Sequence, residues 1–268
     1  MKKDQFIVIC ADSAPSAEKL IPTARLFAEK LHKGLILLSC SPDADSWIES
    51  FHIPFAALKT DWPTAINGLP TAFNAVLAIT LSDPLAGRHS FTHPKQLLKD
   101  FRQCKIAYLA VNSQSPSPDS TWPQTTVLTL NHQRESKEKL IWASYFARFF
   151  QSRIVVMHHQ YKDAAFRSRW KNNMQYLEKI FSSLGLSYDV LPITQGSEFG
   201  NPDLAALKNL STFNSPLSTI FIALVPDQRE KDLGDLFSTP PEIKLLKNKE
   251  HLPILFLNQR DDLYILCD

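Results

Sequence analysis

Val127-Leu-Thr-Leu-Asn131-His-Gln-Arg-Glu-Ser136-Lys-Glu-Lys-Leu-Ile141-Trp-Ala143 joins a short apolar run, through a polar turn, to a segment of helical period. That sequence of strand, turn and helix is how a βαβ unit opens. The chain begins with the same device. Phe6-Ile-Val-Ile-Cys-Ala11 passes through Asp12 and Ser13 into Ser16-Ala-Glu-Lys-Leu-Ile21, which differs from Ser136-Lys-Glu-Lys-Leu-Ile141 at one position. Further on, Leu26-Phe27-Ala28 aligns with Tyr145-Phe146-Ala147 after a one-residue slip. Matching letters at the same place in the same strand-helix order indicate duplication.

Working outward, the β-branched apolar runs come in two sets. The first predicts strands at Phe6 to Ala11, Leu35 to Cys40, Phe55 to Lys59, Val76 to Leu81 and Ile106 to Asn112, with helices over Ser16 to His32 and Pro94 to Cys104. The second predicts strands at Thr126 to Asn131, Ile154 to His159, Tyr188 to Ile193, Thr219 to Val225 and Pro253 to Leu257. Strands alternating with helices feed a parallel sheet. Gln114 to Gln124 is rich in Pro and Ser and lacks periodicity, as a linker does. The expected organisation is a first domain over 1–113, a linker over 114–124 and a second domain over 125–268. The copies differ between their second and third strands. The second carries a helical stretch, Ala164 to Leu184, where the first has only Asp43 to His52, so the first lobe reads as trimmed.

Length and composition agree with a folded pair of domains. The chain has 268 residues, 44% of them hydrophobic, and Lys+Arg 29 against Asp+Glu 27 leaves a net charge of +2. That balance argues against nucleic acid or an anionic membrane as a partner. The apolar run after Met1-Lys2-Lys3 is too short for a signal peptide and reads as the first strand. No stretch approaches the length of a membrane helix, and a cytoplasmic protein is expected. Cys10, Cys40, Cys104 and Cys267 show no CxxC spacing and read as reduced thiols.

The strand-helix opening resembles that of the universal stress proteins, in which an apolar strand ends in Asp, polar residues follow and a helix starts with small, Lys/Glu and Leu positions. Asp12 keeps the acid and Asn131 replaces it in the second half. Val156-Met157-His158 resembles the end of the family's second strand, and Cys104-Lys105-Ile106 and Leu252-Pro253-Ile254 each keep part of the Cys-Pro-Val that starts its last. The resemblance implies an α/β chain of two tandem Rossmann-like domains of the adenine nucleotide alpha hydrolase-like type. Each would be an open five-stranded parallel sheet in the order 3-2-1-4-5, with ligands at the crevice between strands 1 and 4. It also implies that Asp12 faces the adenine end of a nucleotide. Asp12 with Ser13, Asn131 and His158 are therefore the ligand-binding candidates; the competing role of Asp12 is to order the turn and start the next helix.

The resemblance fails at the phosphates. The ATP-binding branch follows its fourth strand with Gly-x-x-Gly and, nine residues later, Gly with Ser or Thr. Glycines let backbone amides approach phosphate, and a helix N-terminus favours the anion. Here the first lobe offers Thr80 to Pro94 with Gly87 alone and an acidic Asp83, and the second offers Val225 to Pro241 with Gly234 alone among Asp227, Glu230, Asp232 and Asp235. Thr239 and Glu242 read as a capping box for a helix beginning at Pro240. ATP, and any other cofactor, is not expected.

Catalytic motifs are missing: there is no GxSxG, GxxxxGK[ST], HExxH or GxGxxG. Neighbours on a strand face opposite ways, so His158 and His159 do not form a metal pair, and no metal site is expected. Asp43, Asp45, Glu49 and Asp61 lie in a loop without the spacing of an acid/base pair. The aromatic stripe Trp142, Tyr145, Phe146, Phe149 and Phe150 reads as core, as do Phe166, Trp170, Leu177 and Phe181, with Arg167, Arg169, Lys171 and Lys179 on a solvated face. The expected function is a non-enzymatic, stress-response-type binding or regulatory protein. Its partner would be an unknown small ligand or another protein. The alternative is a nucleotide-binding hydrolase or transferase of the wider adenine-nucleotide-binding α/β group. The lobes are expected to pack as a pseudo-two-fold pair or to form a homodimer, because a lone lobe exposes the edge of its fifth strand. The apolar run in the tail 261–268 would extend that edge or cross to the other lobe.

Overall fold

The computed structural model describes residues 4–194, 201–210, 218–225 and 239–258. These divide into two compact units, the first built on residues 4–117 with Val225 and Asn258, the last residues of two strands that otherwise belong to the second, and the second on 118–224 and 239–257.

In the first unit the elements run β1 (Phe6–Cys10), α1 (Ala14–Leu31), β2 (Gly34–Ser39), β3 (Phe55–Ala57), α2 (Trp62–Ala72), β4 (Ala75–Ser82), α3 (Pro94–Phe101) and β5 (Ala107–Asn112). The strand order is β3-β2-β1-β4-β5, all parallel. β1 is covered on both faces, with Ile7, Val8 and Ile9 fully excluded from solvent. That is why it reads as an unbroken apolar run, and each such side chain contributes about 1.5–3 kcal/mol. β2 starts at a glycine for a steric reason: a Cβ on Gly34 would lie 2.4 Å from the ring of Phe6.

Two features differ from the sequence reading. Asp61 is no loop acid; it caps α2, its carboxylate accepting the amide of Thr64 at 2.9 Å. The helix it starts was hidden by Pro63, Gly68 and Pro70. The connection from β2 to β3 holds short 3-10 turns at Ala44–Ser46 and Ile48–Phe51.

The second unit runs β6 (Thr125–Thr129), α4 (Glu138–Phe149), β7 (Arg153–His158), α5 (Ala164–Ser183), β8 (Asp189–Pro192), α6 (Pro202–Leu210), β9 (Thr219–Val225), α7 (Pro241–Leu246) and β10 (Ile254–Asn258). Its order is β8-β7-β6-β9-β10, the 3-2-1-4-5 arrangement again, and β6 through β9 are parallel where they pair. α5 connects β7 to β8, where the first unit has only the 3-10 turns between β2 and β3. Its start is fixed by Asp163, which accepts the amide of Phe166 at 2.9 Å.

The capping box at α7 does not form. The N-cap is Pro240, which has no side-chain acceptor, so Thr239 stands one residue too early. The aromatic stripe of α4 is core only in part: Phe146 and Phe150 are buried, whereas Tyr145 is 37% exposed. Cys10 and Cys104 are buried free thiols and Cys40 is a half-buried one. Burial pushes the Cys104 and Cys40 thiols up to about 11. Cys267, the tail 261–268 and most of the acidic stretch from 225 to 241 lie outside the described residues.

Candidate functional site

In a doubly wound sheet the strand-to-helix turns at the carboxyl edge form the ligand crevice, at the point where winding reverses. In the first unit that point lies between β1 and β4. Asp12 and Ser13 sit there together. Ser13 is the N-cap residue of α1, in extended conformation and without a side-chain cap bond. The Asp12 carboxylate Oδ1 accepts the hydroxyl of Ser16 at 2.8 Å and that of Ser13 at 3.3 Å, while the two hydroxyls are 2.9 Å apart. Asp12 thus orders the first turn of α1, the plainer of its two expected roles.

The loop after β4 is tied down without glycine geometry. Asp83 Oδ1 accepts the amide of Leu85 at 2.9 Å and the hydroxyl of Ser113 at 3.1 Å, and the Asp83 amide donates to the Thr92 carbonyl at 2.8 Å. Phe91 stacks on Trp62 of α2, ring centroids 3.8 Å apart. Gly87 is outside the left-handed region and a Cβ on it would meet nothing within 4 Å. Neither backbone freedom nor close approach requires a glycine there.

In the second unit Asn131 and His158 stand at the ends of neighbouring strands, and α5 engages both. Asn131 is buried and organises its own turn, Oδ1 accepting the Gln133 amide and Nδ2 donating to Gln133 Oε1, each at 2.9 Å. From α5, Asn173 Nδ2 reaches the Asn131 carbonyl at 2.8 Å and that of Gln133 at 2.9 Å. The His158 ring stacks on Trp170 at 4.5 Å, and His132 stacks on Phe166 at 4.1 Å with Tyr161 edge-on at 5.3 Å. Burial, with Arg169 nearby, lowers the His132 imidazole from its ordinary value, and Asp163 opposes that shift. Phe166 and Trp170 are therefore half-buried covers for two strand-end histidines rather than interior core.

Three residues that sequence reasoning missed form a buried polar group in this unit. Lys139 Nζ lies 2.6 Å from Asp203 Oδ1 and 2.8 Å from Thr129 Oγ1, and the Thr129 hydroxyl donates to the same Asp203 oxygen. Burial pushes the Lys139 ammonium down from its ordinary value, and the Asp203 carboxylate opposes that shift. A trace of Lys139 was present in the sequence: positions 139, 143, 146 and 150 share one helix face, and the other three are Ala, Phe and Phe. Nothing in Pro202-Asp203 foretold the partner. Among the described residues no cluster of three His, Cys, Asp or Glu could hold a metal, and no helix is long and apolar enough to cross a membrane.

The sequence matches no family model and no curated protein. Solved structures do resemble the chain. A universal stress protein from Archaeoglobus fulgidus DSM 4304 aligns at a TM-score of 0.63 and 11% identity, over 96% of this chain and 97% of that one. A protein of unknown function from Pseudomonas aeruginosa PAO1 aligns at 0.62 and 12% identity, over 98% and 95%. The cytoplasmic domain of a prokaryotic cation chloride cotransporter aligns at 0.53 and 12% identity, over 98% and 99%. The fold is that of a tandem universal stress protein, as the strand order of each unit also shows.

Proposed function

We propose that the chain is a universal stress protein-like binding or regulatory protein of the cytoplasm, acting in stress response without catalysis and without ATP. Its lobes correspond to residues 1–113 and 125–268, packed as a pseudo-two-fold pair or within a homodimer. The observation that carries the reading is the β4–α3 loop. Its one glycine, Gly87, serves no conformational need, and the Asp83 carboxylate is fixed by Leu85 and Ser113 where phosphate would approach. A triphosphate approaching this loop would meet a fixed negative charge. The second lobe supports the same reading through its covered strand ends, where His132 and His158 are stacked beneath Phe166 and Trp170. A small ligand beside Asp12 and Ser13, or a protein partner, is the remaining mode of action.

Isothermal titration with Mg-ATP is the test, together with mass spectrometry of the denatured protein for co-purified nucleotide. The expected result is no heat of binding in the micromolar range and no nucleotide. Micromolar binding that weakens in Asp12→Ala would overturn the proposal.

A further inference from the structure

The second unit contains a buried cation that its fold does not require. The duplicated sequence aligns Lys19 with Lys139, yet Lys19 is half-buried and donates to the backbone carbonyl of Ser115. The last residue of the first strand is Cys10 in one unit and Thr129 in the other. Both units reach the same strand order, so the Thr129, Lys139 and Asp203 group is an addition to the architecture rather than a condition of it.

It lies at the carboxyl edge of the sheet. α4 connects β6 to β7, while α6 leads to β9 on the other side of β6. Right-handed crossovers in opposite directions put these helices on opposite faces of the sheet. A bond between Lys139 in the first turn of α4 and Asp203 in the first turn of α6 must therefore cross the carboxyl edge at β6. That edge adjoins the β6/β9 switch point, where doubly wound folds take ligands. There an ammonium and a hydroxyl both address one oxygen, Asp203 Oδ1.

We propose that Lys139 and Thr129 form a carboxylate seat, which Asp203 fills from within the chain and which an outside small monocarboxylate takes when Asp203 is withdrawn. The ligand class follows from the donors. One ammonium balances one negative charge, and two donors converging on a single oxygen suit a carboxylate better than a polyanion. This seat is independent of the nucleotide reading, so the two stand or fall separately.

The test is thermal unfolding of Asp203→Ala in sodium formate against sodium chloride at equal ionic strength. In Asp203→Ala, formate is expected to raise the melting temperature saturably, by about 5 °C at concentrations well above its dissociation constant. Wild type and Lys139→Met/Asp203→Ala should show no such rise. A response equal to that in chloride, or an equal response in the double variant, would overturn the seat. A larger response to inorganic phosphate than to formate would overturn the carboxylate assignment. Should Asp203→Ala not accumulate as folded protein, Asp203→Ser is measured in the same way. The soluble yield of either variant should then be higher in formate than in chloride, and equal yields would overturn the seat.

Discussion

Lys139 Nζ and Asp203 Oδ1 lie 2.6 Å apart with side chains 1% and 8% exposed, a buried ion pair that the described residues of the first unit, which shares the strand order, do not repeat. Breaking such a pair from one side leaves a charge buried without compensation, at a cost of about 3–5 kcal/mol. Lys139→Met is expected to lose that much in urea unfolding. Replacing the whole group at once, as Thr129→Val/Lys139→Met/Asp203→Leu, removes every orphan and should return stability to wild type or above it. A single variant that unfolds like wild type would show that the pair carries no stability.

Asp100 is a second buried acid, and the charge of neighbouring Lys99 only partly offsets the effect of its burial. Its side chain accepts the Gln96 amide at 2.7 Å, and burial raises its carboxyl above the ordinary aspartate value. Because the folded value is the higher one, the folded state holds the proton more tightly. Stability is therefore greatest in acid and falls as pH rises from the unfolded value through the folded one. Asp100→Asn keeps the acceptor for Gln96 and removes the titration. It should match wild type in acid and melt at a higher temperature near neutrality. Parallel pH profiles for the two proteins would refute this.

The fold was legible because its signals are local and repeated. β1 and β6 are buried on both faces and so read as apolar runs, and the near-identity of 16–21 with 136–141 fixes the duplication. α2 was not legible, since two prolines and a glycine within Trp62–Ala72 hide a helix whose stability comes from the Asp61 cap and the burial of Ile66 and Leu69. At the site, Asp12 and Asn131 could be placed from strand ends, but their partners could not. Ser16, four residues on, is local; Asn173 is 42 residues from Asn131 and Asp203 is 64 from Lys139, and only the fold brings them together.

The Asp83 anchor can be tested apart from nucleotide binding. Asp83→Ala removes the acceptor for the Leu85 amide and the Ser113 hydroxyl, both near the surface, and should cost about 1–2 kcal/mol in urea unfolding. Leu85 is 81% exposed and has little packing to hold the turn once those bonds are gone. Proteolysis should then concentrate between 83 and 93. An unchanged cleavage pattern would mean that the Phe91 and Trp62 stack holds the loop without Asp83.

Asn173 supplies the last prediction, because one amide group holds the turn between β6 and α4 to α5. Its Nδ2 donates to the carbonyls of Asn131 and Gln133 and approaches the Ser136 hydroxyl at 3.3 Å. Asn173→Ala leaves the buried Asn131 carbonyl with only the long contact from the Ser136 hydroxyl at 3.4 Å and should cost about 1–3 kcal/mol. Asn173→Asp is expected to be worse at neutral pH, since it sets a carboxylate oxygen against carbonyl oxygens, and to recover in acid, where a protonated carboxyl can donate. Hydrogen exchange over 131–136 separates this role from mere packing by α5. Protection there should fall in both variants while that of β7 is kept, and unchanged protection over the turn would rule out the amide as its anchor.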